Sequence, residues 1–369
     1  MDAKRYFLDL DLQDWVQWAN HRQFPSYRGK QIYEFIFKKF AVHPDEFSNL
    51  PKDIKSKLLE TIEFSLPSID TQLKSNDQSV KFLLKTKDNF FMECVWMPSE
   101  TRTTLCVSSQ VGCKMACTFC QTGKMGLSRN LSSGEILSQI ILVNRYALST
   151  PFTRNVTNIV FMGMGEPLDN FEAVVKALKI MTSEDGLNLS KNRVTVSTCG
   201  LIPEIKKLAE NVAVSLAISL HTADEEERSN MMPINKKYPL KDLKEALLQY
   251  PQNTRHGITF EYVMIHDQND SIGHAKKLVK FLHGLKAKVN LIPMNPHPGS
   301  TMVATDPERL KAFQSYLSER SIPAPIRYSR GQDVSAACGQ LAAKRENELH
   351  LLPKDTARLR RMERRDQNV

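Results

Sequence analysis

Three cysteines fall within eight residues, Cys113-Lys-Met-Ala-Cys117-Thr-Phe-Cys120, in a chain that has seven. Thiolate sulfur is a soft ligand that selects iron–sulfur clusters, zinc or copper over hard cations. Structural zinc is normally closed by four ligands, and no fourth Cys or His follows at zinc spacing: Cys199 and His221 lie far down the chain. A cubane held by three thiolates keeps one iron open to a small molecule, which separates a catalytic metal site from a structural one. The alternative is a zinc knuckle with a remote ligand, against which the C-x3-C-x2-C spacing counts.

Other residue types capable of chemistry fall at the ends of strand-like segments. In Phe91-Met-Glu-Cys-Val-Trp-Met97, alternation puts Phe91, Glu93 and Val95 on one face and Met92, Cys94 and Trp96 on the other. Burial of Glu93 would raise its pKa, the condition for acid–base work; an exposed strand-edge glutamate is the alternative. Cys94 reads as a small core residue. In Gly163-Met-Gly165-Glu166-Pro167 the glycines let backbone approach a ligand, and Glu166 can accept from an ammonium group. Ser197, Ser219, His221 and Asn295 each fit a turn or a cap alone; sharing one rim, they form a ligand pocket.

The elements that must position these groups are legible from periodicity. Residues 1–80 read as a helical accessory module with no strand pattern before residue 80. Ile32, Phe35, Ile36 and Lys39 share a helical face, and a second helix follows Pro51. The interleaved aromatics and lysines fit either RNA contact or a small packed bundle with a basic rim. Residues 81–97 read as a hairpin with an Asp88-Asn89 turn. Six strand-then-helix units follow, starting at Thr104, Asn158, Arg193, Val214, Ile258 and Lys288. Such repetition implies right-handed crossovers and a parallel sheet. The expected fold is therefore α/β, a partial (β/α)6 barrel spanning 81–342, with chemistry at the carboxyl ends of its strands. A doubly wound sheet is the competitor, but no G-x-G-x-x-G follows the first strand.

Composition sets bounds. The chain of 369 residues suffices for one catalytic domain and an accessory one. No apolar run of about eighteen residues suggests a membrane span, and the amino terminus lacks a signal-peptide pattern, so a cytoplasmic location is expected. Clustered and single cysteines fit a reducing compartment. The net charge of +9, from 50 basic and 41 acidic side chains, is compatible with a polyanionic partner.

Ordered motifs then become specific: Cys106-Val-Ser-Ser-Gln-Val-Gly-Cys113 running into the cysteine triplet, Phe161-Met-Gly-Met-Gly-Glu-Pro167, Ser219-Leu-His221, Met232-Pro-Ile-Asn235 and Ala336-Ala-Cys338-Gly-Gln-Leu341. From about Glu93 to Leu341 the chain resembles the RlmN/Cfr family of radical S-adenosylmethionine RNA methyltransferases. The resemblance implies methylation of an adenine ring carbon in 23S rRNA and tRNA. It implies a [4Fe–4S] cluster on Cys113, Cys117 and Cys120, and two S-adenosylmethionine molecules consumed per methylation. Cys338 would carry the methyl group and join enzyme to RNA; Cys106 would release the product through a transient disulfide with Cys338. Glu93, thirteen residues before Cys106, would remove the ring proton, and Gly165, Glu166, Ser197, Ser219, Leu220, His221 and Asn295 would contact the cofactor. A flavodoxin-type electron donor is the family expectation.

Two branches of that family differ in product. Leu291-Ile-Pro-Met-Asn-Pro-His-Pro-Gly299 resembles the carbon-2 branch, while Thr122-Gly123 resembles the antibiotic-resistance branch acting on carbon 8; carbon 2 is the expectation. A different radical enzyme and a non-catalytic iron–sulfur RNA-binding module are the other classes. The basic tail, 343–369, is expected to meet phosphate.

Overall fold

The computed structural model describes residues 4–151, 154–251, 257–295 and 300–341, so the basic tail and Pro296–Gly299 lie outside the described residues. The amino-terminal unit has short parallel strands β1 (Arg5–Tyr6) and β2 (Ile62–Glu63) around helices α1 (Leu12–Asn20), α2 (Tyr27–Lys39) and α3 (Lys52–Thr61). α1 starts at a capping box in which Asp11 and Asp14 accept each other's backbone amide. Most of the aromatics here are core: Trp15, Phe35, Phe37 and Phe47 are buried, and Phe35 stacks on Phe47 at 5.3 Å. Lys39 stays exposed and lays its amine 4.4 Å over the Phe35 ring. The unit docks on helix α5 (Ser133–Leu148) through Asp9, which accepts from Ser133 Oγ and the Gly134 amide.

A strand that the sequence pattern did not reveal comes next. β3 (Ser68–Lys74) has only Ile69 and Leu73 as large apolar residues, and both are exposed, so it carries no buried-face alternation. It is an edge strand held by backbone pairing to β4 (Val80–Lys85), which pairs with β5 (Phe91–Pro98) across the expected Asp88–Asn89 turn. Asn89 takes the left-handed conformation there (φ 66°), which asparagine tolerates.

β5 joins β6 (Thr103–Cys106) antiparallel. A two-stranded ribbon, β7 (Gln110–Cys113) and β8 (Gly126–Asn130), encloses the cysteine segment and the short helix α4 (Gln121–Lys124). The predicted repetition then appears in full: α5 (Ser133–Leu148), β9 (Asn158–Phe161), α6 (Phe171–Thr182), β10 (Val194–Thr198), α7 (Ile202–Asn211), β11 (Ser215–Ser219), α8 (Glu225–Met231), α9 (Leu240–Gln249), β12 (Ile258–Met264), α10 (Ile272–Leu282), β13 (Ala287–Pro293) and α11 (Pro307–Ser318).

Strands β6, β9, β10, β11, β12 and β13 are neighbours in that order and all parallel. A doubly wound sheet would reverse its order part-way; this one does not. Laid flat, six strands would put the outer two about 24 Å apart. Cys106 of β6 and Asn290 of β13 nevertheless line one cavity, so the sheet curls into a partial barrel. Among the described residues, no helix is long and apolar enough to cross a membrane.

Candidate active site

Local backbone chemistry places the cysteines at the carboxyl ends of the barrel strands. Gly112 (φ 78°) lets β7 pass β8 so closely that a Cβ would lie 2.0 Å from the Gly126 carbonyl. Cys113 ends β7, and Cys117 and Cys120 follow in the enclosed turn. All three line a cavity of about 150 Å³ together with Gly165, Glu166, Ser197, Ser219, His221 and Asn295. Among the described residues no three His, Cys, Asp or Glu side chains surround a single ion-sized point, as mononuclear zinc would require. Three soft donors on one wall, with oxygen and nitrogen groups opposite, fit a cluster with an open iron facing a small polar molecule. Burial pushes the Cys113 thiol up to about 12 and raises those of Cys117 and Cys120; a bound cation would reverse this by stabilising thiolate.

The opposite wall is rigid. Gly165 sits at φ 100°, and a Cβ there would meet Gln110 Cβ at 2.6 Å. Gln110 Oε1 accepts the Glu166 amide at 2.8 Å. The Glu166 carboxylate is buried and accepts from the Leu168 and Cys199 amides at 3.1 and 2.9 Å. Burial nonetheless raises its pKa, an environment that gains from an added cation. His221 has φ 61°, and its Nδ1 accepts the Val263 amide at 3.1 Å. Burial lowers its pKa to about 3, so the imidazole is neutral. Leu220 is fully buried and is not on the cavity wall; its amide donates to the Glu261 carbonyl and its carbonyl accepts from the Thr222 amide and Arg228, so the structure does not bring it together with the other cofactor candidates. Asn295 is on the wall, but its amide nitrogen donates to Ser329 Oγ and the Cys338 carbonyl, so it holds the carboxyl-terminal segment.

That segment brings Cys338 back across the barrel. The Gln121 amide donates to the Gly339 carbonyl at 2.7 Å, and Thr122 Oγ1 to the Leu341 carbonyl at 2.6 Å, fastening it to the cysteine turn. Cys338 lines the first cavity and also a second one of about 370 Å³, which contains Cys106. Cys338 is open to the cavities, yet the surrounding protein pushes its thiol up to about 11. Cys106 is buried, and its thiol is raised by that burial and by Cys338 nearby. All seven cysteines are free, so a disulfide between Cys106 and Cys338, expected only as a transient, is not present.

The alternation read for β5 holds. Phe91 and Val95 join the cluster around Cys106, while Met92, Cys94 and Trp96 face the main core. Glu93 is buried, though it is on neither cavity wall. Its Oε1 is 3.3 Å from Lys81 Nζ.

Four groups in or beside the site escaped sequence reasoning. Besides Lys81, Glu261 lies on both cavity walls, accepts from Asn290 Nδ2 at 2.9 Å, and is raised to about 7 by burial. Arg228 is buried and donates to carbonyls at the ends of β10 and β11. Cys199, to which no role was given, supplies the amide that holds Glu166. The charged side chains inside strand or helix patterns were the available signal for the first three. Arg102, Lys288, Arg327 and Arg330 also line the second cavity and make it basic.

Comparison with known proteins agrees with this geometry. Residues 107–279 match the Radical SAM superfamily. The chain is 47% identical to the dual-specificity RNA methyltransferase RlmN of Nitratiruptor sp. over 87% of this chain and 94% of that protein. It is 41% identical to the protein of the same name from Syntrophobacter fumaroxidans over 90% of this chain and 96% of that one. The crystal structure of a radical SAM methyltransferase from Sphaerobacter thermophilus superposes with a TM-score of 0.87 at 41% identity, covering 92% of this chain and 99% of that one. A parallel barrel with a three-cysteine turn at its carboxyl rim, matched along nearly its whole length, places this chain in the RlmN family of radical SAM RNA methyltransferases.

Proposed function

We propose that this protein methylates carbon 2 of an adenine in RNA, with Cys338 carrying the one-carbon unit between two cavities. The observation that supports this most strongly is the place of Cys338 on the walls of both the cysteine-lined cavity and the cavity holding Cys106. Cys113, Cys117 and Cys120 would hold a [4Fe–4S] cluster. Gly165, Glu166, Ser197, Ser219, His221 and Asn295 would surround S-adenosylmethionine, of which two molecules are consumed per methylation. Cluster and cofactor, when bound, supply the methyl group and the hydrogen-abstracting power.

This chain's own side chains handle the transfer. A ring carbon flanked by nitrogens is electrophilic, so a sulfur-bound carbon must be delivered as a radical. Cys338 receives the methyl group, loses a hydrogen atom from it and bonds that carbon to the ring; Glu93 then takes the ring proton, and one electron leaves to a one-electron acceptor of the iron–sulfur class, which gives the thioether. In the release step, the Cys338–S–CH2–adenine thioether and the Cys106 thiol become methyladenine and a Cys106–Cys338 disulfide. One C–S bond breaks, one S–S bond forms, and the thiol hydrogen ends on the methyl group. A flavodoxin-type donor supplies electrons, and the reducing cytoplasm keeps the thiols free.

The relatives' name supports two RNA classes, taken here as 23S rRNA and tRNA. Arg102, Lys288, Arg327 and Arg330 would meet phosphate at the second cavity. We assign catalysis to 81–342, with residues 1–80 as an accessory unit and 343–369 as a basic arm. Anaerobic reconstitution followed by mass analysis of the Cys338 peptide should show one added methyl group. Nucleosides from cells with and without the gene should differ by 2-methyladenosine; 8-methyladenosine as sole product would overturn carbon 2.

A further inference from the structure

Lys81 is a buried cation with no part in the scheme above. It lies on the face of the β4–β5 hairpin that it shares with Glu93, since Lys81 is opposite Val95 and Leu83 opposite Glu93. Its ammonium is 3.3 Å from Glu93 Oε1. It also donates at 3.1 Å to the carbonyl of Ser335, three residues before Cys338. The surroundings are apolar: Phe91, Val95, Ala336 and Leu341 form one buried cluster, with Leu83 and Val334 against it.

Among the described residues, the Cys106 thiol from β6 packs into the same cluster, while Cys94, beside Glu93 on β5, faces the main core. Two charged side chains of the described Cys338 segment, Arg330 and Asp333, turn elsewhere. Arg330 donates to the Pro98 carbonyl and pairs with Asp77, and Asp333 accepts from Ser75.

A carboxylate with no cation beside it in apolar surroundings takes up a proton instead of staying charged. In that form Glu93 could not accept the ring proton. Lysine suits the position because its long stem packs along apolar groups while one ammonium serves two acceptors. We propose that Lys81 is a positioning residue that keeps Glu93 ionised and ties it to the segment bearing Cys338. The proposal rests on Glu93 as the proton acceptor. In the step it supports, the C–H bond of the adenine ring carbon joined to the Cys338 methylene breaks and the proton goes to the Glu93 carboxylate. The C–H electron pair restores the aromatic ring, and the unpaired electron passes to a one-electron acceptor of the iron–sulfur class.

Full-length protein, reconstituted anaerobically and given substrate RNA, tests this through three readouts: RNA-linked protein on denaturing gels, the methyl group on Cys338, and the carboxyl infrared band of the cofactor-free chain. Lys81→Met and Lys81→Gln should methylate Cys338 normally. At pH 7 they should clear the RNA-linked form about tenfold more slowly, recovering by roughly one pH unit higher. They should also show a protonated-carboxyl band that wild type lacks, and Lys81→Arg should restore release. Release at the wild-type rate with the wild-type pH profile in both neutral variants overturns the proposal, as does an Arg variant that behaves like Met. Glu93→Gln should accumulate linked protein at every pH. If it clears the link normally, the assignment of the base fails, and that outcome is distinct from failure of Lys81. Should Lys81→Met lose Cys338 methylation through misfolding, Lys81→Gln against Lys81→Arg decides.

Discussion

Replacing Arg228 with methionine should loosen the cofactor rim and the fold together. The guanidinium donates to Asn235 Oδ1 at 2.6 Å, to the Cys199 carbonyl at 2.8 Å, to that of Ser219 at 3.2 Å and to that of Leu220 at 3.3 Å. Ser219 ends β11 on the pocket wall, Leu220 follows it, and Cys199 is the residue whose amide holds Glu166. Methionine fills similar volume without donors. The Leu220 carbonyl keeps the Thr222 amide as a partner, so the loss falls mainly on two or three acceptors. At about 1–3 kcal/mol for each acceptor left unsatisfied, offset by the relief of no longer burying a charge, the net cost is roughly 3 kcal/mol. That is a large share of ordinary domain stability, yet the chain should still fold. Urea melts of the cluster-free chain measure the first effect, and calorimetric titration with S-adenosylmethionine measures the second, expected as about a tenfold weaker Kd for each 1.4 kcal/mol of rim stabilisation lost. Arg228→Lys, keeping charge and some contacts, should fall between. Stability within about 0.5 kcal/mol of wild type, the range of a surface change, would refute the brace. A large loss of stability with unchanged cofactor affinity would refute its link to the pocket.

Further expectations follow from the same geometry. Cys113→Ser should leave anaerobic preparations without the brown iron–sulfur absorbance and abolish nucleoside methylation; retention of either, measured by visible spectroscopy and mass spectrometry, contradicts the cluster assignment. Gly165→Ala forces both a positive φ and a 2.6 Å contact with Gln110, so thermal melts should show a loss of about 1–3 kcal/mol with weaker cofactor binding; an unchanged melt would mean the turn yields easily. Glu261, raised from 4.5 to about 7, keeps its proton in the folded chain through a window where the unfolded chain gives it up. Its contribution is complete below about 4.5 and is lost as pH rises through 7. Relative to Glu261→Gln, the wild type should therefore lose roughly 3 kcal/mol between about pH 4.5 and 8; a pH-independent difference in denaturant melts would overturn this.

The sequence by itself determined the features carried by local periodicity and spacing. The three-cysteine turn, the six strand–helix units and the alternation on β5 all emerged where they were expected, because each depends on neighbours a few residues away. The ordered motifs between Cys106 and Leu341 added the family. Edge strand β3 stayed hidden because Ile69 and Leu73 point to solvent and leave no buried-face pattern. Tertiary structure alone decided which groups meet. Lys81 reaches the Ser335 carbonyl across 254 residues, Arg228 joins the ends of two strands, and Cys338 stands between two cavities because the last described segment folds back over the barrel mouth. Such partners are chosen by curvature of the sheet and by the need of buried charges and carbonyls for hydrogen bonds. Neither requirement leaves a mark at any fixed spacing along the chain.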